Sequence, residues 1–290
     1  MATSSPAQTW IITGASRGLG RALAHAALAA GDHVVAAVRR PESIATVAAA
    51  YPDDCLVVAH DVRDVDAAAG LVQAALDRFG RLDVLVNNAG RGLVGAVEET
   101  SDAQLREVMD LHLFGPAALV RAALPAMRAQ GSGTIVQMSS QGGRISYPGV
   151  SAYSASKFAL EGWSEALAGE VEPWGIRVLL VEPSRFRTEF NATGVLEFAE
   201  PSEAYGDRLA AVRADLAGAH GRQEGDPARA AKIIVSLAHG PEVPLRLPLG
   251  REAVERISAM HRRGLADVEQ WAETARSADF EGVPASARPI

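Results

Sequence analysis

Short apolar runs rich in valine, isoleucine and leucine alternate with Ala/Leu-rich stretches of helical periodicity over most of this chain. Strands are expected at 9–13, 33–38, 56–60, 84–87, 134–138 and 177–182, with helices at about 18–30, 41–50, 64–79, 102–129 and 152–171. A strand that is apolar at every position, not every second one, is covered on both faces, and helices between such strands require a parallel sheet. Right-handed crossovers then give an α/β fold of three layers, a doubly wound parallel sheet.

After residue 182 the rhythm changes. Residues 183–225 mix proline, glycine, aromatics and charges and offer no strand candidate. A doubly wound sheet places such a segment over the ligand crevice, so it reads either as a substrate lid (about 186–225) or as a plain surface insertion. A last short strand is expected at 246–249, and a charged amphipathic helix at about 250–278 that covers the core. No repeat or composition break divides residues 1–290, so one domain is expected, with its core at about 9–185.

Composition excludes several classes. A net charge of −7 and a pI near 5.6 argue against nucleic acid as a partner. The one cysteine, Cys55, cannot form an internal disulfide and opens an apolar run, as a buried strand residue would. There is no signal-peptide pattern at the start and no apolar run near the ~20 residues that span a bilayer, so a cytoplasmic protein without membrane attachment is expected. No metal-ligating cluster is expected.

Thr13-Gly14-Ala15-Ser16-Arg17-Gly18-Leu19-Gly20 follows the first strand and opens the first helix. Glycines there permit a tight turn and close approach to a pyrophosphate, while the helix start supplies free N–H groups and a positive dipole end. Gly14, Ser16, Arg17, Gly18, Leu19 and Gly20 are therefore cofactor candidates. NAD-selective sites usually end the second strand with an acid that accepts from the ribose 2′-hydroxyl. This strand ends Val38-Arg39-Arg40, with no acid, so Arg39, helped by Arg17, suits a 2′-phosphate. NADP(H) is expected over NAD(H); the competing reading leaves both arginines solvated.

Tyr153-Ser-Ala-Ser-Lys157 lies early in a helical pattern, and residues four apart share a face. A phenol of pKa about 10 is a poor catalyst at neutral pH unless nearby positive charge favours the phenolate. Ser139-Ser140 ends the preceding strand, at the ligand-binding end of such a sheet. The order of glycine turn, Asn87-Asn88-Ala89-Gly90, Ser140 and Tyr153/Lys157 closely resembles the short-chain dehydrogenase/reductase family over about residues 9–190.

That resemblance implies a Rossmann-fold oxidoreductase that interconverts alcohols and carbonyls with a nicotinamide dinucleotide. It implies Tyr153 as acid/base and Ser140, thirteen residues earlier, as the hydroxyl holding the substrate oxygen. It makes Lys157 the partner of both Tyr153 and the nicotinamide ribose. Asp61 and Val62 would contact adenine, Asn88, Ala89 and Gly90 would line the adenosine side, and Pro183 and Thr188 would orient the carboxamide. It also implies a homo-oligomer, built on the long helices that carry Leu119, Val120 and Leu124, and Leu160, Trp163 and Leu167; the same residues could instead cover the sheet.

Two positions depart from the family pattern. His112 stands where the family usually has an asparagine whose backbone carbonyl holds a relay water. Pro116, four residues on, has no N–H to bond that carbonyl, so the relay is expected to survive. The imidazole either joins the relay or packs as a hydrogen-bonded side chain. The usual Pro-Gly is here Pro183-Ser184, followed by Arg185, which would narrow the pocket, attract an anionic group or point to solvent. The remaining pocket candidates are Leu93, Val94, Gln141, Tyr147, Val150, Phe186 and Phe190, a mostly apolar set suited to a hydrophobic small-molecule carbonyl or alcohol. The alternatives to an enzyme are a nucleotide-sensing regulator on the same fold, which predicts an eroded Ser/Tyr/Lys set where all three residues are present, and an interaction protein that keeps the fold without turnover; cofactor binding with no reaction on any carbonyl would favour either.

Overall fold

The computed structural model describes residues 6–192, 194–280 and 282–284. The main sheet has seven parallel strands: β1 (Thr9–Thr13), β2 (His33–Val38), β3 (Cys55–Ala59), β4 (Val84–Asn87), β6 (Gly133–Met138), β7 (Ile176–Pro183) and β9 (Arg246–Leu249). Their spatial order is β3-β2-β1-β4-β6-β7-β9, so the order reverses between β1 and β4, the place where such sheets bind ligands.

Helices α1 (Gly18–Ala29) and α8 (Pro227–His239) cover one face, and α3 (Ala68–Phe79), α5 (Gly115–Gln130) and α6 (Ser151–Val171) cover the other. The pleat divides β1 between them. Trp10 and Ile12 pack with Leu23, Ala24 and Ile234, and Ile11 packs with Leu85, Leu119 and Ile135. Each such side chain contributes about 1.5–3 kcal/mol by leaving water. Cys55 is buried in β3, as expected.

Several boundaries differ from expectation. The stretch 41–50 is a 3₁₀ turn, Pro41–Ile44, followed by α2 (Ala45–Ala50). The single helix expected at 102–129 is α4 (Asp102–Met109), a π-helical turn at Asp110–Phe114, and then α5. Pro116 supplies no N–H, and the Gly115 N–H reaches back five residues to the Asp110 carbonyl, so the helix widens here. Gly115 has no alternative at this spot, because a Cβ there would lie 2.2 Å from the Val62 carbonyl oxygen.

The segment expected to hold no strand holds β8 (Leu196–Phe198), which pairs in parallel with β5 (Gly92–Val94) as a two-stranded sheet. It continues into α7 (Gly206–Gly218). Helix α9 (Arg251–Arg276) covers the core only with its first turns: Ala253 and Ile257 are buried, Glu252, Ser258 and Met260 are half-buried, and the residues past His261 stand away from the body. Among the helix residues expected to serve either a subunit interface or the sheet, Leu119, Val120, Leu160 and Leu167 are buried within the protomer, and Leu124 and Trp163 pack beside them. They are sheet-covering residues.

Candidate active site

The loops at the C-terminal ends of β1, β2, β4, β6 and β7 enclose a cavity of about 390 Å³, within the range of small-molecule sites. Thr13 joins two of these loops. Its hydroxyl donates to the Val86 carbonyl (3.3 Å) and accepts from the N–H groups of Asn88 (2.9 Å) and Ala89 (3.0 Å). The Asn88 amide returns a bond to the Thr13 carbonyl (2.8 Å), fixing the glycine turn. Gly14 and Gly18 have positive φ, 65° and 56°. Gly14, Ser16, Arg17, Gly18, Leu19, Asn88, Ala89 and Gly90 all line the cavity. Gly20 does not. It belongs to the packing under the turn, where a Cβ would meet the Gly14 carbonyl oxygen at 2.4 Å.

Helix α1 begins at this turn without a side-chain cap from Arg17. The Gly18 N–H donates to the carboxylate of Glu189, 3.0 Å away and 171 residues on. An oxyanion already sits at the helix N-terminus, as a phosphate would. Beyond it, Arg17, Arg39 and Arg40 converge on one end of the cavity, and burial and the neighbouring guanidiniums lower the pKa of Arg17. Asp61 lines the same end, but Arg63 takes both of its oxygens (3.0 and 2.6 Å) and holds its pKa near about 2. Val62 lies beside it. Three guanidiniums that no carboxylate among the described residues pairs, next to a helix N-terminus that already holds an oxyanion, form a donor set that fits a dinucleotide carrying an extra phosphate.

At the other end stand Ser140, Tyr153 and Lys157. The Ser140 hydroxyl accepts from the Gly142 N–H (3.0 Å), which leaves its own proton free to donate. Burial drives the Tyr153 pKa up to about 12, with the Ser140 hydroxyl pulling the other way. The Lys157 ammonium is buried and donates to the Met138 carbonyl (2.8 Å). Burial lowers its pKa to about 8, and Glu161 opposes that shift.

His112 is buried behind Tyr153, with the two rings edge to face at 5.6 Å. The Arg91 N–H donates to its Nε2 (3.2 Å), which places the ring proton on Nδ1, 2.7 Å from the Ser156 hydroxyl. Ser156 in turn donates to the Tyr153 carbonyl (2.7 Å). Burial, then Lys157 and Arg91, push the pKa of His112 well below 6.5. Both ring nitrogens are engaged in hydrogen bonds, the arrangement that the packed reading of this side chain calls for.

Pro183, Ser184, Arg185, Phe186, Thr188 and Phe190 line the cavity from the β7 side, with Gln141, Tyr147 and Val150 opposite. Phe190 meets the Tyr153 ring edge to face at 6.1 Å. Three expectations need correction. Leu93 and Val94 are buried in β5, away from the cavity. Arg185 is not a free cation, because Asp215 holds it with two bonds (3.0 and 2.5 Å) and Glu252 lies 3.8 Å away. The Ser184 hydroxyl is spent on the Leu249 carbonyl (3.3 Å). Sequence reasoning missed Glu189, Asn191, Val195 and Leu216 in the lining. The one signal for Glu189 was an acid directly after Thr188. Among the described residues no group of three or more His, Cys, Asp or Glu could hold a metal, and no helix is long and apolar enough to cross a membrane.

The family model described as short chain dehydrogenase matches residues 8–196. The chain belongs to the short-chain dehydrogenase/reductase family. It is similar to the oxidoreductase BOA17 of Botryotinia fuckeliana, 37% identical over 265 residues, 91% of this chain and 96% of that one. It also resembles a 3-ketodihydrosphingosine reductase of Bacteroides thetaiotaomicron, 39% identical over 69% of this chain and 72% of the relative. A crystal structure of a short-chain dehydrogenase from Streptomyces avermitilis superposes with TM-score 0.89 at 46% identity, over 96% of this chain and all of that one. A metagenomic short-chain oxidoreductase in complex with NADP superposes at 0.67 and 28% identity, over 86% of this chain and 98% of the other. This short-chain dehydrogenase/reductase is thus an oxidoreductase with a Rossmann-type sheet and a site for a nicotinamide cofactor.

Proposed function

We propose that this enzyme prefers NADP(H) to NAD(H) and moves hydride between the nicotinamide and a carbonyl or secondary-alcohol carbon of a mainly apolar small molecule. The observation carrying this reading is one cavity with Ser140, Tyr153 and Lys157 at one end and three unpaired arginines at the other. Gly18, once its N–H exchanges the Glu189 carboxylate for phosphate, and Leu19 would hold the pyrophosphate, Arg17 and Arg39 the 2′-phosphate, and Lys157 the nicotinamide ribose. The bound dinucleotide supplies or accepts the hydride; every proton is handled by the protein.

For carbonyl reduction, Tyr153 Oη–H donates a proton to the substrate oxygen as negative charge develops there, and Ser140 Oγ–H donates a hydrogen bond to the same atom. A phenol held near pKa about 12 is protonated at neutral pH, the form reduction needs. For oxidation the phenolate must form, and the positive charges of Lys157 and the oxidised cofactor favour it. Tyr147, Val150, Phe186 and Phe190 offer the substrate an apolar wall, and the relative named as a 3-ketodihydrosphingosine reductase is in keeping with a ketone on an apolar chain. The stretch 186–225 serves as the lid. The lone buried thiol suits a cytoplasmic enzyme.

Following NADPH and NADH oxidation over aliphatic, aromatic and steroid-like carbonyls tests the reading. Turnover with at least about tenfold preference for NADPH is expected, since one charge-assisted phosphate contact is worth about 1.4 kcal/mol or more. Equal use of the two cofactors, or tight NADPH binding without turnover on any carbonyl, contradicts it. The second outcome would favour a cofactor-sensing protein.

A further inference from the structure

Helix α9 leaves the body after about three turns, and every described residue from His261 to Phe280 except Ala272 is exposed. Its outer face carries Val254, Leu265, Val268 and Trp271, which are 51–67% exposed. Leu265, Val268 and Trp271 recur every three residues and Val254 lies eleven residues, about three turns, before Leu265, so the four share one side of the helix, as a seam that meets another helix does. A helix covering only its own core would have no use for them.

The charges beside this seam say what meets it. Glu255, Arg262, Glu269 and Arg276 stand at intervals of seven residues with alternating sign, along one line of the helix. All four are exposed, and among the described residues none is ion-paired within the protomer, while Arg256 pairs with Glu252 inside this helix. Alternation of this kind is self-complementary under a two-fold axis. Antiparallel pairing about the midpoint between Arg262 and Glu269 sets Glu255 against the partner's Arg276 and Arg262 against the partner's Glu269, each twice.

The same register fills the seam. Leu265 of each copy lies beside the axis, and Val268 meets the partner's Gly264. That also accounts for a glycine in mid-helix, which costs about 1 kcal/mol relative to alanine and has open space where a Cβ would be. A membrane surface is the poorer occupant. Arg251, Arg256, Arg262, Arg263 and Arg276 are balanced by Glu252, Glu255, Asp267, Glu269 and Glu273, whereas helices that lie on anionic lipid are basic on the polar face.

We propose that α9 is a self-association surface, on which a second copy of this chain docks its own α9 antiparallel. The helices buried against the sheet play no part in this contact, so any pairing elsewhere on the molecule adds a separate axis.

Light scattering and sedimentation equilibrium of the full chain test it, with far-UV circular dichroism confirming that each variant is folded. Val268→Glu and Arg262→Glu should each weaken one assembly step at least about tenfold, because each buries or opposes like charge at the seam. The double variant Arg262→Glu with Glu269→Arg restores opposite signs and should recover the wild-type assembly. Leu265→Cys should form a disulfide-linked dimer on oxidation, with Cys55 buried and silent. The proposal is overturned if folded variants assemble like wild type, if the double variant is as weak as Arg262→Glu, if Leu265→Cys does not cross-link, or if the chain is a monomer that binds anionic vesicles through α9.

Discussion

Replacing Arg39 by alanine removes one of three guanidiniums at the end of the cavity without touching the glycine turn or Tyr153. Arg39 is exposed just past the end of β2, where the nearby Asp61 is already occupied by Arg63. Its charge is therefore available to a ligand. A charge-assisted bond to phosphate is worth about 1.5–3 kcal/mol, and exposure places this one near the lower figure. The expected effect is a rise of about 10- to 30-fold in KM for NADPH, with KM for NADH and kcat for either cofactor nearly unchanged. Initial rates with both cofactors at low and at physiological salt measure this. Because the contact is electrostatic, the wild-type preference for NADPH should shrink as salt rises, and the variant's preference should shrink less. An equal loss for both cofactors, or no loss for either, refutes the assignment of the 2′-phosphate to this end.

Three further outcomes follow from the site. With its pKa lowered to about 8, Lys157 loses its charge at mildly alkaline pH, so kcat/KM for carbonyl reduction should fall above about pH 8, and the limb should be missing from the residual activity of Lys157→Met. His112→Asn cannot span both the Arg91 N–H and the Ser156 hydroxyl, and one buried group left unpaired should cost about 1–3 kcal/mol in denaturant melts at neutral pH. The folded pKa of His112 lies below its unfolded value, so wild type should lose stability as pH falls below about 6.5, and His112→Asn should lack that part of the loss.

The main sheet was legible because its inner strands are covered on both faces. Their inner stretches at 10–12, 34–38 and 84–86 are apolar at every position for that reason, and they lie within β1, β2 and β4. The pair β5 and β8 was not legible. Strands of three residues, one opening on Gly92, carry too little pattern to stand apart from loop. The widened turn at His112 left one trace, Pro116, which was read as freeing a carbonyl and not as changing the helix. Helix α9 was misjudged for a different reason, since an apolar stripe looks the same whether it faces its own core or another chain.

The site divides along the same line. Ser140, Tyr153, Lys157 and the glycine turn were legible through their order and spacing and the family resemblance these carry, and the cavity is lined by all three side chains and by the turn's Gly14, Ser16, Arg17, Gly18 and Leu19. Contacts between distant side chains were not. Nothing near Gly18 in sequence announces Glu189, and nothing near Arg185 announces Asp215. Leu93 and Val94 were named as pocket residues from their apolar character in a loop, which β5 absorbs into packing.

Tyr153→Phe tests the central claim most directly, since it deletes one oxygen and keeps the ring that packs on His112 and Phe190. NADPH-dependent carbonyl reduction should fall at least about 10²-fold, while NADPH binding, followed by fluorescence, stays within about twofold of wild type. Undiminished turnover in the variant would show that another group supplies the proton, and the account of this site would be wrong.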